Sequence, residues 1–226
     1  MTKDYDLNLI SNHAFFKNIS KEKIFSIIET SSCYIKSFDA KTNIYQAGDK
    51  IYSLGIILDG TVDIIHTSVN GNETIINRLT KGNTFGNCFS CASSNSNLND
   101  IRSITFSTVL FIDIYKILKD TKFSYDLRIN LFENIMSSLA QTNITLNDKI
   151  QILSQKTLRD KLITYFELLS MKKGSNSITI PFNREQLACY LCSERSSVCR
   201  ELGKLQDDNI ININKNNVTL INQNIS

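Results

Sequence analysis

The sequence predicts an α+β fold with three consecutive parts, and three observations predict it. Short β-rich runs separated by turn residues fill about residues 34–114, which is typical of a barrel or sandwich. Leucine and isoleucine then recur at short steps as far as Leu153, as in a long amphipathic helix. Two short helical patterns and a final pair of β-rich runs follow, which is the order of a winged helix-turn-helix.

The composition is that of an ordinary soluble globular protein. Of 226 residues, 42% are hydrophobic and 21% are charged. The first six residues are polar, and no apolar run approaches the length of a signal peptide core or a membrane span. We therefore expect a cytoplasmic protein without a membrane partner, whose six cysteines are mostly reduced.

The net charge of +3 is unevenly distributed along the chain. Residues 1–153 hold 15 basic and 15 acidic residues, whereas residues 154–226 hold 10 basic and 7 acidic ones. The excess in the last third is a mild indication of a polyanionic partner there.

The N-terminal part begins with a helical pattern. Isoleucines and a phenylalanine over residues 14–35 are spaced for one apolar face. In the β-rich region that follows, Asn70-Gly71 between two apolar runs predicts a hairpin. A polar loop at residues 87–100 interrupts the strand pattern.

The long helix is predicted from about Ser124 to Leu153. Its apolar residues fall close to a heptad seam. The predicted seam residues are Leu131, Ile135, Leu139, Leu146 and Ile150. Such a helix could lie on its own barrel, but about 30 residues extend ~45 Å, longer than one barrel face. We therefore favour a dimer seam.

The C-terminal elements alternate between helix and strand. A helix is predicted over residues 157–171 and a strand over 177–180. Two short helices at 184–191 and 195–205 are separated by a tight turn. Two strands at 210–213 and 218–221 are joined at Asn216-Asn217.

Three cysteines, Cys189, Cys192 and Cys199, lie around that tight turn. A structural zinc site needs four converging ligands. The other closely spaced pair, Cys88 and Cys91, lies in the other predicted domain, and both histidines are distant in sequence. We therefore predict no metal site, and interpret Cys189 and Cys192 as small residues at a helix–turn packing site.

The second of the two short helices has two opposite faces on a helical wheel at ~100° per residue. Its apolar face carries Val198, Leu202 and Leu205. Its polar face carries Arg195, Ser196, Cys199 and Arg200. A DNA recognition helix requires this division, because arginine and serine can donate to base edges in the major groove.

Two stretches of the sequence resemble the Crp/Fnr family of bacterial transcription regulators. The stretch "NREQLACYLCSERSSVCRELGKLQDDNII" is similar to the family's helix-turn-helix, with Cys192 in place of the turn's usual glycine. The stretch "YQAGDKIYSLGIILDGTVDIIHTSVNGNETIINRLTKGNTFG" resembles its cyclic-nucleotide-binding barrel. Asn209, which tolerates a left-handed conformation, replaces the usual glycine before Ile210.

The resemblance implies three domains. Residues 1–120 would form a cyclic-nucleotide-binding-like β-barrel of the jelly-roll (double-stranded β-helix) type. Residues 121–154 would form the dimerisation helix, and residues 155–226 the winged helix-turn-helix. Arg195, Ser196 and Arg200 match the family's base-reading positions. The predicted DNA-binding set also includes Arg184, Ser197, Cys199 and Lys204.

The predicted effector pocket departs from the family's cyclic-AMP pattern. Phe85-Gly86 is kept, but Asn87 replaces the glutamate that holds the ribose. The Arg-Ser position falls at Asn97-Leu98, and Arg102-Ser103 comes too late, on the next strand. The departures argue against cyclic AMP. The candidate pocket residues are Phe85, Gly86, Asn87, Cys88 and Arg102.

Several signals stay open. Haem is one, with His66 as a possible axial ligand. Thiol chemistry at Cys88 and Cys91 is a second possible signal. The remaining alternatives are an unidentified small molecule and no effector at all. An iron–sulfur cluster is disfavoured, because only Cys33 precedes residue 88.

We expect a homodimeric DNA-binding transcription regulator that binds double-stranded DNA and engages RNA polymerase. The alternative is a haem- or ligand-binding sensor that has lost DNA binding. The sequence carries no nucleophile–base pair, no Walker-type loop and no H-E-x-x-H motif, so we expect no enzyme.

Overall fold

A computed structural model describes residues 10–30, 32–86 and 97–221. The chain divides into two compact units. The first unit runs to residue 67 and resumes over residues 77–143. The second consists of residues 68–76 together with residue 144 onwards.

The strands of the first unit form two four-stranded sheets, in the orders β1-β8-β3-β6 and β2-β7-β4-β5. Strand β8 pairs antiparallel with both β1 and β3, and β7 with both β2 and β4. The strands are β1 Cys33–Phe38, β2 Asn43–Tyr45, β3 Leu54–Asp59, β4 Thr61–Thr67, β5 Glu73–Thr80, β6 Thr84–Phe85, β7 Asp100–Ser103 and β8 Ser107–Ile112.

Apolar side chains of both sheets form one cluster, so the predicted β-barrel is present. The cluster comprises Phe38, Ile51, Ile57, Val62, Leu79, Phe85, Ile101, Val109 and Phe111. Alternate residues of β3 and β8 belong to a second cluster on the opposite face of their sheet. These two strands are therefore buried on both faces, which explains their nearly continuous apolar sequences.

The first helix is shorter than the sequence pattern predicts. A 3₁₀ turn at Ala14–Phe16 precedes helix α1, Lys21–Ile28. Ser20 caps α1 by accepting from Lys23 N. The prediction of helix as far as residue 35 is wrong, because Cys33 begins β1 and pairs with Ile112 of β8. The sheet supplies backbone partners that override the local helical spacing.

Helix α2, Ile114–Lys119, is followed by α3, Tyr125–Leu153, which confirms the predicted long helix. The first half of α3 packs on the outer face of the β1-β8-β3-β6 sheet. Leu127, Leu131 and Ile135 are buried there in one cluster with residues of β3 and β8, including Ile56 and Leu110.

Among its described residues, the second unit holds the end of α3, three further helices and a small sheet with the order β10-β11-β9. Its elements are α4 Leu158–Lys173, β9 Ser177–Thr179, α5 Arg184–Leu191, α6 Arg195–Asp207, β10 Ile211–Asn214 and β11 Asn217–Leu220. The wing turn lies at Lys215-Asn216, one residue before the predicted position, and Lys215 has a φ of 54° there.

Candidate nucleic-acid interface

Helix α5 is fixed at both ends by local hydrogen bonds. Asn183 and Gln186 form a reciprocal capping box at its start. At its end, Cys192 adopts the left-handed conformation with a φ of 52°. Ser193 N then donates to Ala188 O at 3.0 Å. Cys192 thus performs the turn function that usually falls to glycine, as its position in the motif predicts.

Helix α6 presents one buried and one exposed face, as predicted. Val198, Leu202 and Leu205 are buried in the apolar cluster of the second unit. The exposed face carries Arg195, Ser196, Cys199, Arg200 and Lys204. Ser197 is half-buried, and its Oγ accepts from Arg200 Nη2 at 3.4 Å.

Arg159 of α4 holds α6 from one side. Its Nη2 lies 2.6 Å from an Asp208 carboxylate oxygen, just beyond the end of α6. Its Nη1 lies 3.4 Å from Glu201, in the middle of α6. One guanidinium therefore fixes both the rotation and the end of the helix that carries the cationic face. No sequence pattern predicts this contact, because Arg159 is far in the chain from Glu201 and Asp208.

Arg184 is half-buried, and the structure gives it a partner on the wing. Its Nη2 donates to Lys215 O at 2.7 Å, which ties the first turn of α5 to the turn between β10 and β11. A backbone carbonyl of the wing therefore engages part of this guanidinium.

Of the predicted effector residues, the structure describes Phe85, Gly86 and Arg102. Phe85 is buried in the cluster between the sheets. Its ring lies against Gly55, because a Cβ at position 55 would be only 2.2 Å from Phe85 Cζ. Gly86 has a φ of 81°. Asn87 and Cys88 lie outside the described residues.

Arg102 does not line the cluster between the sheets. Its neighbour Ile101 points into that cluster, so by strand alternation Arg102 points to the opposite face. Its Nε donates to Asn43 Oδ1 at 3.0 Å, and its Nη2 lies 3.6 Å from Asp100. The Arg102 side chain therefore lies outside the apolar cluster between the sheets.

The described cysteines are free thiols. Burial raises the pKa of Cys33 to about 12. Burial and then the carboxylates of Glu185 and Glu73 raise the pKa of Cys189. Neither thiol is therefore activated for oxidation. Cys192 and Cys199 are exposed.

His66 lies exposed near the end of β4. Among residues 10–30, 32–86 and 97–221, no group of three or more histidine, cysteine, aspartate or glutamate side chains is arranged to hold a metal ion. Within the same ranges, no helix is long and apolar enough to cross a bilayer.

The apolar residues of α3 fall into two rows. Leu131 and Ile135 are buried in the core of the first unit and are not available to a dimer seam, which corrects the predicted seam. Leu139 is half-buried, whereas Leu146 and Ile150 are exposed. A second, exposed row begins with Ile129, Phe132 and Met136. It continues along the helix through Leu139, Leu146 and Ile150.

Two family models match the chain. The cyclic nucleotide-binding domain matches residues 35–119, and the Crp-like helix-turn-helix domain matches residues 160–224. The global nitrogen regulator of Synechocystis sp. (strain ATCC 27184 / PCC 6803 / Kazusa) is 23% identical over 216 residues, which is 92% of this chain and 91% of the relative.

Solved structures share the fold. The c-di-GMP responsive global regulator CLP of Xanthomonas campestris superposes with a TM-score of 0.72 at 18% identity, over 90% of this chain and 100% of that one. A cyclic nucleotide-binding domain containing protein of Listeria monocytogenes EGD-e gives 0.68 at 15% identity, with the same coverage.

The matched families define a DNA-binding transcription regulator rather than an enzyme. The barrel, the long helix and the helix-turn-helix agree with this class. The chain belongs to the Crp/Fnr family.

Proposed function

We propose that the protein acts as a homodimer that reads a pseudo-palindromic operator through α6, under the control of a signal other than a cyclic nucleotide. The observation that carries the proposal is the exposed face of α6, where Arg195 and Arg200 stand opposite a fully apolar buried face. Two such helices related by a two-fold axis would read half-sites about one helical turn apart.

Each DNA-binding residue has a proposed role. Arg195 and Arg200 donate two hydrogen bonds each to guanine O6 and N7, and Ser196 contacts a neighbouring base edge. Cys199 lies between the arginines on the same exposed face. Lys204, Ser197 and Arg184 contact the phosphate backbone, which sets orientation rather than sequence preference.

The exposed row on α3 supports the dimer. Ile129, Phe132, Met136, Leu139, Asn143, Leu146 and Ile150 follow one another at alternating steps of three and four residues. This is a heptad register, in which one face meets a partner helix. Phe132 is 53% exposed and Ile150 is 64% exposed in the single chain. Burial in a dimer would remove this apolar surface from water. We propose this row in place of the buried Leu131 and Ile135.

The described residues around Asn97 support a signal that carries no cyclic phosphate. Asn97 occupies the position where cyclic-AMP-binding relatives carry arginine, and its Oδ1 accepts from Asn99 N at 3.1 Å. Leu98 occupies the serine position of the same Arg-Ser pair. It is 75% exposed and has no hydroxyl to donate to a phosphate. The nearby guanidinium of Arg102 faces away from the barrel interior. A cyclic phosphate would therefore lack its usual cationic partner. Haem, a thiol modification and an unidentified small molecule are the candidate signals.

The chain would have three functional parts: residues 1–120 sense the signal, residues 121–154 form the dimer and residues 155–226 bind DNA. Cytoplasmic location, a bacterial origin and RNA polymerase as a partner belong to the same proposal.

The experiment is a selection from random duplex DNA, followed by light scattering of the protein alone and of the complex. The proposal requires an enriched motif with two-fold symmetry, a dimer in solution and two chains per duplex. An enriched site without symmetry, bound by one chain, would contradict it.

A further inference from the structure

The tip of the β4–β5 hairpin, residues 68–76, belongs to the second unit rather than to the barrel. Gly71 turns the tip with a φ of 81°. Ile75 is buried in the apolar cluster that also holds Tyr165, Tyr190 and Leu191. Strand β5 continues past Ile76 into the first unit. The tip is thus joined covalently to the sensing barrel while its side chains pack in the DNA-binding unit.

The buried amine of Lys149, in α3, holds the tip by a hydrogen bond. Its side chain is 5% exposed. Its Nζ donates to Ile75 O at 3.2 Å and also to Tyr190 O. The same Nζ lies 3.2 Å from the centroid of the Tyr190 ring. One amine therefore bridges the hairpin tip and the last turn of α5, and it satisfies two carbonyl groups that are buried when the tip is docked.

The docked tip borders the turn that leads into the recognition helix. Thr74 Oγ1 lies 3.8 Å from Cys192 Sγ. A cleft of about 600 Å³ lies between the tip and this turn. Three carboxylates line it, those of Glu73 on the tip, Glu185 on α5 and Glu194 in the turn. Arg195, the first residue of α6, lines the same cleft.

The tip lies beside the N-terminal end of α6, since both line the same cleft. The N-terminal residues of a recognition helix are the ones that contact base edges, so this end has to enter the groove. The tip stands beside that end and adds the Glu73 carboxylate, which repels phosphate and attracts Arg195. A DNA strand approaching Arg195 would meet both the bulk and the charge of the tip.

We propose that the hairpin tip is an autoinhibitory latch: docked on the α5–α6 turn it blocks operator binding, and its release frees α6. The inference rests on the proposed reading of an operator by α6. The covalent link through β5 gives the barrel a means of control, because a signal that displaces β5 withdraws the tip.

A reversible cross-link tests the latch. The variant Thr74→Cys brings a second thiol next to the exposed Cys192. Oxidised glutathione then converts the two thiols to a disulfide and is itself reduced to two glutathione molecules. Peptide mass mapping verifies the bond between positions 74 and 192. The DNA probe is the duplex that the parent protein enriches most strongly from the random pool.

Two controls isolate the cross-link. Thr74→Cys combined with Cys192→Ser cannot form it. The parent protein, treated with the same oxidant, reports any effect of oxidising Cys199 on the DNA-facing side of α6. Both controls should bind the probe equally before and after oxidation.

The latch predicts that the cross-linked variant binds the probe more weakly by roughly tenfold or more, since only released molecules are competent, and that dithiothreitol restores binding. Cross-linked protein that binds as tightly as reduced protein would overturn the latch. Failure of the bond to form under oxidant would overturn it too, because the tip would not be docked in solution. A parent protein that enriches no duplex would instead refute the proposed operator reading.

Discussion

The buried Lys149 makes the stability of the second unit depend on pH in a predictable direction. Burial lowers the pKa of Lys149 from 10.5 to about 7, with the nearby Lys161 charge contributing in the same direction and Cys192 opposing it. The neutral amine keeps two N–H groups, which match the two carbonyl oxygens of Ile75 and Tyr190. The perturbation is Lys149→Met, which retains the aliphatic chain and removes the titrating group.

The sign follows from proton counts. Between the folded pKa and the unfolded pKa, the unfolded chain holds a proton on Lys149 that the folded chain lacks. The free energy of unfolding therefore rises with pH in this window. This contribution is complete above the unfolded pKa and is lost as the pH falls toward 7. One full proton changes stability by about 1.4 kcal/mol per pH unit. From pH 7.0 to 8.5, with the folded group about half-protonated at the start, the increase is about 1.5 kcal/mol.

The assay is urea unfolding at fixed protein concentration, followed by tyrosine fluorescence, since the chain has eight tyrosines and no tryptophan. The quantity compared is the stability difference between the parent and Lys149→Met at pH 7.0 and pH 8.5, so that other titrating groups cancel. The exposed Lys156→Met is the matched control and should leave the pH dependence of the parent unchanged. A difference that does not change with pH would refute the buried, neutral state of Lys149.

Three further predictions follow from the fold and the site. Phe132→Asp should raise the dimer dissociation constant by roughly 100-fold, measured by light scattering or sedimentation. Glu133→Ala, beside the exposed row, should leave it unchanged. A dimer insensitive to Phe132→Asp would exclude this row as the seam. Cys192→Gly should stabilise the protein by roughly 0.5–1 kcal/mol in thermal unfolding, because glycine adopts the left-handed conformation without strain. Cys192→Ala should give no such gain. A loss of stability with glycine would mean that the thiol contacts outweigh the backbone strain. Calorimetry with cyclic AMP should give no binding heat, and micromolar affinity would contradict the reading of Asn97 and Arg102.

Local features of the fold were predictable because their causes are local. The ends of α5 follow from a capping residue at Asn183 and a left-handed turn at Cys192. The two faces of α6 follow from helical periodicity alone. The hairpin at Gly71 follows from its turn residues.

Long-range features were not predictable from one sequence. Helix α3 carries two interleaved apolar rows, and periodicity cannot assign one to the barrel and the other to a partner. The alternating row through Phe132 and Met136 is visible in the sequence, yet the burial of Leu131 requires the neighbouring sheet. Lys149 and Arg159 look like ordinary charged helix residues until the fold brings Ile75, Tyr190, Glu201 and Asp208 to them.

The most direct test of operator reading by α6 compares Arg195→Ala and Arg200→Ala with the parent protein on the selected duplex and on scrambled duplexes, at one salt concentration. Each arginine variant should lose about 1–3 kcal/mol on the selected duplex and relax the base preference at one position of each half-site. Lys204→Ala, as a phosphate-contact control, should weaken binding to all duplexes alike. Equal losses on the selected and scrambled duplexes for both arginine variants would contradict the assignment of α6 as the helix that reads the bases.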